Sequence, residues 1–171
     1  LHYDFSENQN LGVEYTHYDY LAQQAGGLTD SQFSEQPSLS NRPRNWFAVN
    51  WNLFALHHQW KPSPQCEWNS QIFGLNATRK AVGFRGLPQV FNTNPILAID
   101  EQNAEGNYVH PRDIMEARFE NFGAETRFLK RYRFAQQTNP WVWLIGAKYY
   151  RAQNSSIQGP GSLGADPDFR F

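Results

Sequence analysis

Basic side chains recur in the long connections of this 171-residue chain, where they could bind an anion. Arg guanidinium groups match carboxylates with two parallel hydrogen bonds, so several of them could hold a ligand that carries carboxylate groups. The alternative is that these cations are solvated or are paired with acidic residues of the same segments, namely Asp30, Glu35, Asp100, Glu101 and Asp113. The candidate ligand-binding residues are Arg42, Arg44, Arg79, Lys80, Arg85, Arg112 and Arg151.

Other groupings of reactive residues give weaker signals. His57 and His58 are adjacent, and adjacent strand residues point to opposite faces, so this pair is not expected to chelate one ion. The single cysteine, Cys66, excludes an internal disulfide. The sequence has no Gly-x-Ser-x-Gly, no His-Glu-x-x-His and no phosphate-binding glycine loop. We therefore expect no catalytic residues, no metal site and no bound cofactor.

Composition excludes two classes of protein. The net charge is −1 and no basic stripe is present, so nucleic acid is not an expected partner. No apolar run approaches the roughly 20 residues that a membrane-spanning helix needs. The opening residues, Leu1 to Phe5, also lack the charged and apolar regions of a signal peptide.

Alternating apolar and polar residues predict an all-β chain of antiparallel strands. We predict five strands, at 11–22, 46–60, 66–77, 116–134 and 141–151, and the end of an earlier strand at 1–5. Tight turns are predicted at 6–10, 61–65 and 136–140, and long connections at 23–45, at 78–115 and from residue 153 onwards. Long and short connections that alternate in this way are typical of outer-membrane β-barrels.

One face of these strands would suit hydrocarbon, and the other would suit water. On the strand at 46–60 the odd positions from 47 to 55 are apolar, whereas Asn50 and Asn52 occupy even positions. On the later strands, Glu125, Arg127 and Lys148 would face water and form ion pairs. The residues predicted to face lipid are Phe47, Val49, Trp51, Leu53, Phe122, Phe128, Trp143 and Ile145.

Aromatic residues concentrate near both ends of the predicted strands. Trp60, Trp68 and Trp143 lie near the tight turns, and Trp46 and Tyr149 lie near the long connections. Aromatic side chains form belts of this kind at the two membrane interfaces. The alternative is that aromatic residues simply favour strands.

Four segments resemble the barrel of TonB-dependent outer-membrane receptors, and most of all the ferric-dicitrate-type iron transporters of Bacteroidetes. They are RNWFAVNWNLFAL at 44–56, IFGLN at 72–76, FENFGAETR at 119–127 and QGPGS at 158–162. The resemblance covers nearly the whole chain. It implies a barrel of about 22 strands with an N-terminal plug domain. It also implies outer loops that bind a ferric chelate as the transported substrate, and the TonB complex as the partner that supplies energy.

The chain has too few strands for a complete receptor of this family. Residues 1–171 show no plug domain and no TonB box, and a sheet cannot leave open edges in lipid. The resemblance therefore implies part of a receptor barrel in the bacterial outer membrane, with lipid, the remaining barrel, the plug and the TonB complex as partners. Two alternatives stay open: a passive or structural outer-membrane barrel within a larger assembly, and a soluble carbohydrate-binding β-sandwich that uses Trp46, Trp51 and Trp60 as stacking platforms.

Overall fold

A single antiparallel β-sheet dominates the computed structural model, which describes residues 1–84, 100–134 and 141–171. The strands pair in chain order, so β1 and β6 have one neighbour each and the sheet is not closed on itself. The prediction of an all-β antiparallel chain is therefore confirmed. The strands are β1 (His2–Ser6), β2 (Gln9–Gln23), β3 (Trp46–Ser63), β4 (Cys66–Gly83), β5 (Asp113–Tyr132) and β6 (Trp141–Pro160).

The last strand is longer than the sequence predicts. β6 continues to Pro160, so the prediction that residues 153–160 belong to a loop is wrong. Their Gly, Ser and Pro content favours a loop, but local propensity is weak beside pairing with a neighbouring strand. The Gln158 side chain donates to Asp113 at the start of β5 (2.6 Å), which helps to hold this extension in the sheet.

The hairpin between β3 and β4 is also tighter than predicted. Two prolines favoured a turn at 61–65, but β3 continues through Pro62 to Ser63. A proline is tolerated in a strand where its missing N–H has no ladder partner. The Lys61 amide donates to the Asn8 carbonyl (2.7 Å), so the end of the strand remains paired. The turn predicted at 136–140 lies outside the described residues.

The first long connection contains a short helix, α1 (Asp30–Glu35), that the sequence analysis did not predict. Thr29 caps its start: its hydroxyl accepts from the Gln32 amide, and the Gln32 side chain accepts from the Thr29 amide. This reciprocal capping box satisfies two amides that would otherwise lack partners. Backbone bonds from Gln24 to Asn45 (2.8 Å) and from Arg42 to Ala25 (3.1 Å) close the base of the connection.

The chain divides into two compact units. Unit 1 comprises Leu1–Tyr18, Trp51–Ala77 and Phe119–Asn154. Unit 2 comprises Asp19–Asn50, Thr78–Arg118 and Ser155–Phe171. Among the described residues, the buried apolar side chains are Ala77 in unit 1 and, in unit 2, Val49, Val82, Ile114 and Ala117. Unit 1 therefore buries little apolar surface of its own.

Candidate functional site: two unlike faces of one sheet

Aromatic side chains from neighbouring strands of unit 1 contact one another on one face of the sheet. The rings of Trp60 and Trp68 stack with centroids 6.5 Å apart, and Trp68 meets Phe128 edge to face at 5.9 Å. The Trp68 indole N–H donates to the Thr126 hydroxyl at 2.6 Å, so its polar atom is satisfied while its ring stays apolar. Side chains that contact across adjacent strands lie on the same face.

The same face continues across β5 and β6, where Tyr132 contacts Trp143 edge to face at 5.6 Å. Alternate residues of a strand share a face, so these contacts assign the remaining positions. Apart from Phe128, the large apolar side chains that we assign to this face, listed at the end of this paragraph, each expose between 40% and 63% of their surface. An exposed apolar surface of this kind marks a contact with another phase or molecule. We call it the aromatic face; its members include Phe54, Trp60, Trp68, Ile72, Phe122, Phe128, Trp143 and Ile145.

The opposite face of unit 1 carries charges. Glu125 pairs with Arg127, and the Lys148 ammonium lies 3.7 Å from the Glu125 carboxylate. The Glu125 side chain is only 10% exposed, whereas both cations are more than half exposed. The predicted ion pairs among these three residues are therefore confirmed. We call this surface the polar face; its members also include Asn10, Glu14, His57, Gln59, Glu67 and Asn69.

A chain of side-chain hydrogen bonds crosses three strands of the polar face. The Asn10 amide donates to Gln59 Oε1 (3.2 Å), and the Gln59 amide donates to Glu67 Oε1 (3.0 Å). Asn69 donates to the same Glu67 oxygen at 3.0 Å. Each such bond contributes about 0.5–1.5 kcal/mol, and together they help to hold β2, β3 and β4 in their pairing.

The two adjacent histidines of β3 lie on different faces. His57 Nε2 is 3.8 Å from the Glu14 carboxylate on the polar face. His58 shares a 3.0 Å hydrogen bond with Gln9, and by alternation it lies on the aromatic side. In the described residues, no group of three or more His, Cys, Asp or Glu side chains could hold a metal ion.

β3 presents its side chains in the opposite phase to the one predicted. Asn52 and Trp60 are eight residues apart on β3, so alternation puts both side chains on the aromatic face. Asn52 Oδ1 accepts a hydrogen bond from the Tyr15 hydroxyl at 2.7 Å. Trp51 and Leu53 then lie on the polar face. The apolar residues that β3 contributes to the aromatic face are Phe54, Leu56 and Trp60.

The eight residues predicted to meet lipid therefore do not share one face. In unit 1, Phe122, Phe128, Trp143 and Ile145 lie on the aromatic face, whereas Trp51 and Leu53 lie on the polar face. In unit 2, Val49 is buried (7% exposed), and the Phe47 ring lies 6.4 Å from the Tyr20 ring. Contact with lipid itself remains a prediction.

Two glycines let aromatic rings lie flat on the sheet of unit 1. A Cβ on Gly74 would overlap the Phe54 ring, and a Cβ on Gly123 would overlap the Phe73 ring. A ring that covers a cross-strand glycine restores packing that the glycine cannot supply. Phe54 belongs to the aromatic face, and Phe73 to the polar face, so each side of the sheet has one such pair.

In unit 2, Arg44 is fully buried and does not point into solvent. Its guanidinium forms a two-pronged ion pair with Asp100, whose side chain is 6% exposed. The Tyr108 ring lies 4.2 Å from the guanidinium carbon, and the Leu163 carbonyl accepts a hydrogen bond at 3.3 Å. The sequence analysis left two roles open for Arg44, binding an anionic ligand or pairing with an acidic residue of the long connections. The structure shows the second.

Arg112 is also fully buried and binds the C-terminal segment. It donates to the Ser162 hydroxyl and the Asp166 carbonyl, each at 2.6 Å, and to the Arg44 carbonyl at 3.3 Å. Burial lowers the pKa of Arg112, and the Asp166 carboxylate, 3.8 Å away, partly offsets this effect. Arg44 and Arg112 thus join the segments around residues 44, 100–112 and 162–166.

The other basic candidates are not brought together with that pair. The Arg42 guanidinium lies 4.7 Å from the Phe84 ring centre, and Lys80 pairs with Glu116 at 3.1 Å. Arg79 Nε is buried without a hydrogen-bond partner among the described residues. Arg151 is exposed on β6. Arg85 lies outside the described residues.

Sequence reasoning missed three residues that organise these sites. Tyr108 and Ser162 support the buried arginines, and Tyr150 stacks on Phe73 with ring centroids 6.2 Å apart. Tyr108 and Ser162 lie in predicted loops, where the sequence carries no periodic signal. Tyr150 was identifiable in principle, because it shares the strand alternation of Lys148.

No protein-family model, curated protein or solved structure matches this chain. Among the helices of the described residues, none is long and apolar enough to cross a membrane.

Proposed function

We propose that this chain forms part of the wall of a β-barrel in a bacterial outer membrane. The observation that carries the proposal is the contrast between the two faces of unit 1. The exposed aromatic face matches acyl chains and membrane interfaces, and the ion-paired polar face matches a wet interior. In a soluble two-layer fold, a second layer would cover the aromatic face.

The edge strands support the same proposal. β1 and β6 each have one pairing partner, and β6 is exposed along nearly its whole length. Unpaired N–H and C=O groups are costly in hydrocarbon, so a sheet in lipid must be completed on both edges. The remainder of a barrel is the partner that would complete them.

A finer proposal names the transporter. The four resembling segments favour a TonB-dependent active transporter for a ferric chelate of citrate or siderophore type, with the plug and the TonB complex as further partners. The chelate is the transported substrate and not a resident cofactor. Arg42, Arg79, Lys80 and Arg85 would offer cations to it. Arg151 shares the strand alternation of Trp143 and Ile145, so it lies on the aromatic face and is not assigned to the chelate. Arg44 and Arg112, which are buried, would hold the binding connections in place.

Phase partition between detergent and buffer tests the barrel-wall proposal. We expect the chain to enter the detergent-rich phase, because no apolar surface of residues 1–84, 100–134 or 141–171 covers the aromatic face. Phe122→Ser together with Ile145→Ser should reduce this partition, and Leu53→Ser, on the polar face, should not. A chain that stays monomeric and soluble in buffer would contradict the barrel-wall proposal. The carbohydrate-binding sandwich would need a second sheet, and the described residues form one.

Quenching of tryptophan fluorescence by ferric citrate tests the finer proposal, with the chain held in detergent micelles. We expect saturable quenching that weakens in the Arg42→Gln, Lys80→Gln double variant. Arg170→Gln is the matched control, because that side chain is exposed and pairs locally with Asp168. Absent or unsaturable quenching in a chain that does partition into detergent would favour the passive barrel.

A further inference from the structure

One lysine on the aromatic face of unit 1 has no acidic partner among the described residues. Lys130 lies between Phe128 and Tyr132 in the alternation of β5, and its side chain is exposed. Those two rings contact Trp68 at 5.9 Å and Trp143 at 5.6 Å, so Lys130 also belongs to the aromatic face. Aromatic rings can cover the apolar stem of a lysine, but they leave its ammonium group without a counter-ion.

The sheet does not supply an anion to this lysine. Lys148, on the polar face, lies 3.7 Å from the Glu125 carboxylate, but Lys130 forms no ion pair within the described residues. The segment at 135–140 contains no Asp or Glu. β5 already has β4 and β6 as neighbours, so strands that complete a barrel at β1 and β6 would not adjoin it. The partner anion of Lys130 must therefore come from outside the sheet.

The position of Lys130 along β5 matches one border of a lipid bilayer. Glu120 is the next charged residue on the same face of this strand, and the residues between them on that face are Phe122, Ala124, Thr126 and Phe128. At about 3.3 Å per residue the two charges are about 33 Å apart along the strand, and a tilt of about 35–45° reduces this distance to a height of about 23–27 Å. The apolar band of an outer-membrane barrel is about 25 Å tall. Lys130 and Glu120 therefore fit opposite borders of such a band.

The surroundings of Lys130 favour a lipid headgroup as the source of this anion. An ammonium group inside hydrocarbon is costly, so it must reach the headgroup level. A small free anion would pair with the ammonium but would leave the neighbouring rings uncovered. A phospholipid meets both demands, because its phosphate accepts charge-assisted hydrogen bonds while its acyl chains cover apolar surface. Tyr and Trp rings, such as those of Tyr132 and Trp143, are enriched at this level of a membrane.

We propose that Lys130 binds the phosphate group of a phospholipid at one border of the aromatic face. The ammonium donates to a phosphate oxygen, and the acyl chains of the same lipid cover the rings of Trp68, Phe128 and Trp143. This site rests on the proposed barrel-wall function, and it specifies the chemistry and the level of the lipid contact. It is independent of chelate binding, because Lys130 is not among the basic residues assigned to the chelate.

Solid-state NMR of the whole chain in phosphatidylcholine vesicles measures this contact, with isotope-labelled lysine side-chain nitrogens and a phosphate-free buffer. In a rotational-echo double-resonance experiment, we expect lipid phosphorus to dephase one lysine signal. That dephasing should disappear in Lys130→Gln and persist in Lys61→Gln.

Lys61→Gln is the matched control, because Lys61 is exposed and shares the polar face with Gln59. It also lies near the same end of the strands, since the Arg131 amide donates to the Gln65 carbonyl beside the β3–β4 turn (2.7 Å). Circular dichroism and sedimentation with the vesicles confirm that each variant retains its strands and inserts.

The phosphate site is wrong if no lysine signal is dephased in an inserted chain, if dephasing survives in Lys130→Gln, or if Lys61→Gln abolishes it equally. Equal dephasing by inorganic phosphate, with the chain in micelles of the phosphorus-free detergent dodecyl maltoside, would overturn the lipid as the source of the anion. An inserted chain without the contact leaves the barrel-wall proposal intact. A chain that neither inserts nor partitions into detergent overturns both proposals.

Discussion

Removing the charge of Asp100 should destabilise the connections of unit 2 strongly. Asp100→Asn keeps the size of the side chain but leaves the fully buried Arg44 guanidinium without its carboxylate partner. Breaking a buried ion pair from one side costs about 3–5 kcal/mol. The Tyr108 ring, 4.2 Å from the guanidinium carbon, limits this loss but cannot replace two charge-assisted hydrogen bonds. The loss would be a large share of the roughly 5–15 kcal/mol that stabilises a typical protein.

A denaturant titration of the refolded chain measures this loss. Asp168→Asn is the matched control, because its partner Arg170 is 87% exposed and the pair should add little. The double variant Arg44→Met, Asp100→Leu should recover much of the loss, because no unpaired charge remains buried. If Asp100→Asn unfolds at the same denaturant concentration as the control, Arg44 is solvated and the buried pair does not form in solution.

Three other changes test separate parts of the structure. Gly123→Ala should cost about 1–3 kcal/mol in a denaturant titration, because the new methyl group would overlap the Phe73 ring, and Phe73→Ala in the same chain should recover part of the loss. Thr126→Arg should cost about 2–4 kcal/mol in a lipid refolding titration, and a neutral result would move Thr126 off the lipid face. Hydrogen bonds from Arg170 hold the pKa of Asp168 below its ordinary value. The pair therefore stabilises the folded chain at pH values above the ordinary pKa of an aspartate, and this contribution is lost as the pH falls through the lowered pKa. In Arg170→Gln, an NMR titration should show this pKa returning towards its usual range.

The sequence predicted the faces of β5 and β6 correctly because charged residues mark the polar set near the middle of each strand, Glu125 and Arg127 on β5 and Lys148 on β6. β3 carries no Asp, Glu, Lys or Arg between residues 46 and 60. Both of its sets contain large apolar side chains, Trp51 and Leu53 in one and Phe54 and Leu56 in the other. Asn50 and Asn52 led to the wrong prediction, because polar side chains were expected to face water. Asn52 instead lies on the aromatic face, where it accepts a hydrogen bond from the Tyr15 hydroxyl. Only the neighbouring strand could resolve this choice.

The connections were predictable in part. The Thr29-x-x-Gln32 spacing is a capping-box signal in the sequence, so α1 could have been found. The pairing of Arg44 with Asp100 was one of the alternatives, but burial of both side chains depends on segments that are distant in sequence. The contacts of Arg112 with Ser162 and Asp166 likewise join segments that are distant in sequence, so they could not be predicted.

The central claim is that the aromatic face of unit 1 meets lipid while its polar face meets water. Single cysteines at positions 53 and 54 test it directly, each placed in a Cys66→Ser background and labelled with an environment-sensitive fluorophore in lipid vesicles. We predict that spin-labelled lipid quenches the label at 54, and that aqueous iodide quenches the label at 53. Equal quenching of both labels by iodide, or the reverse pattern, would contradict the assignment of the two faces.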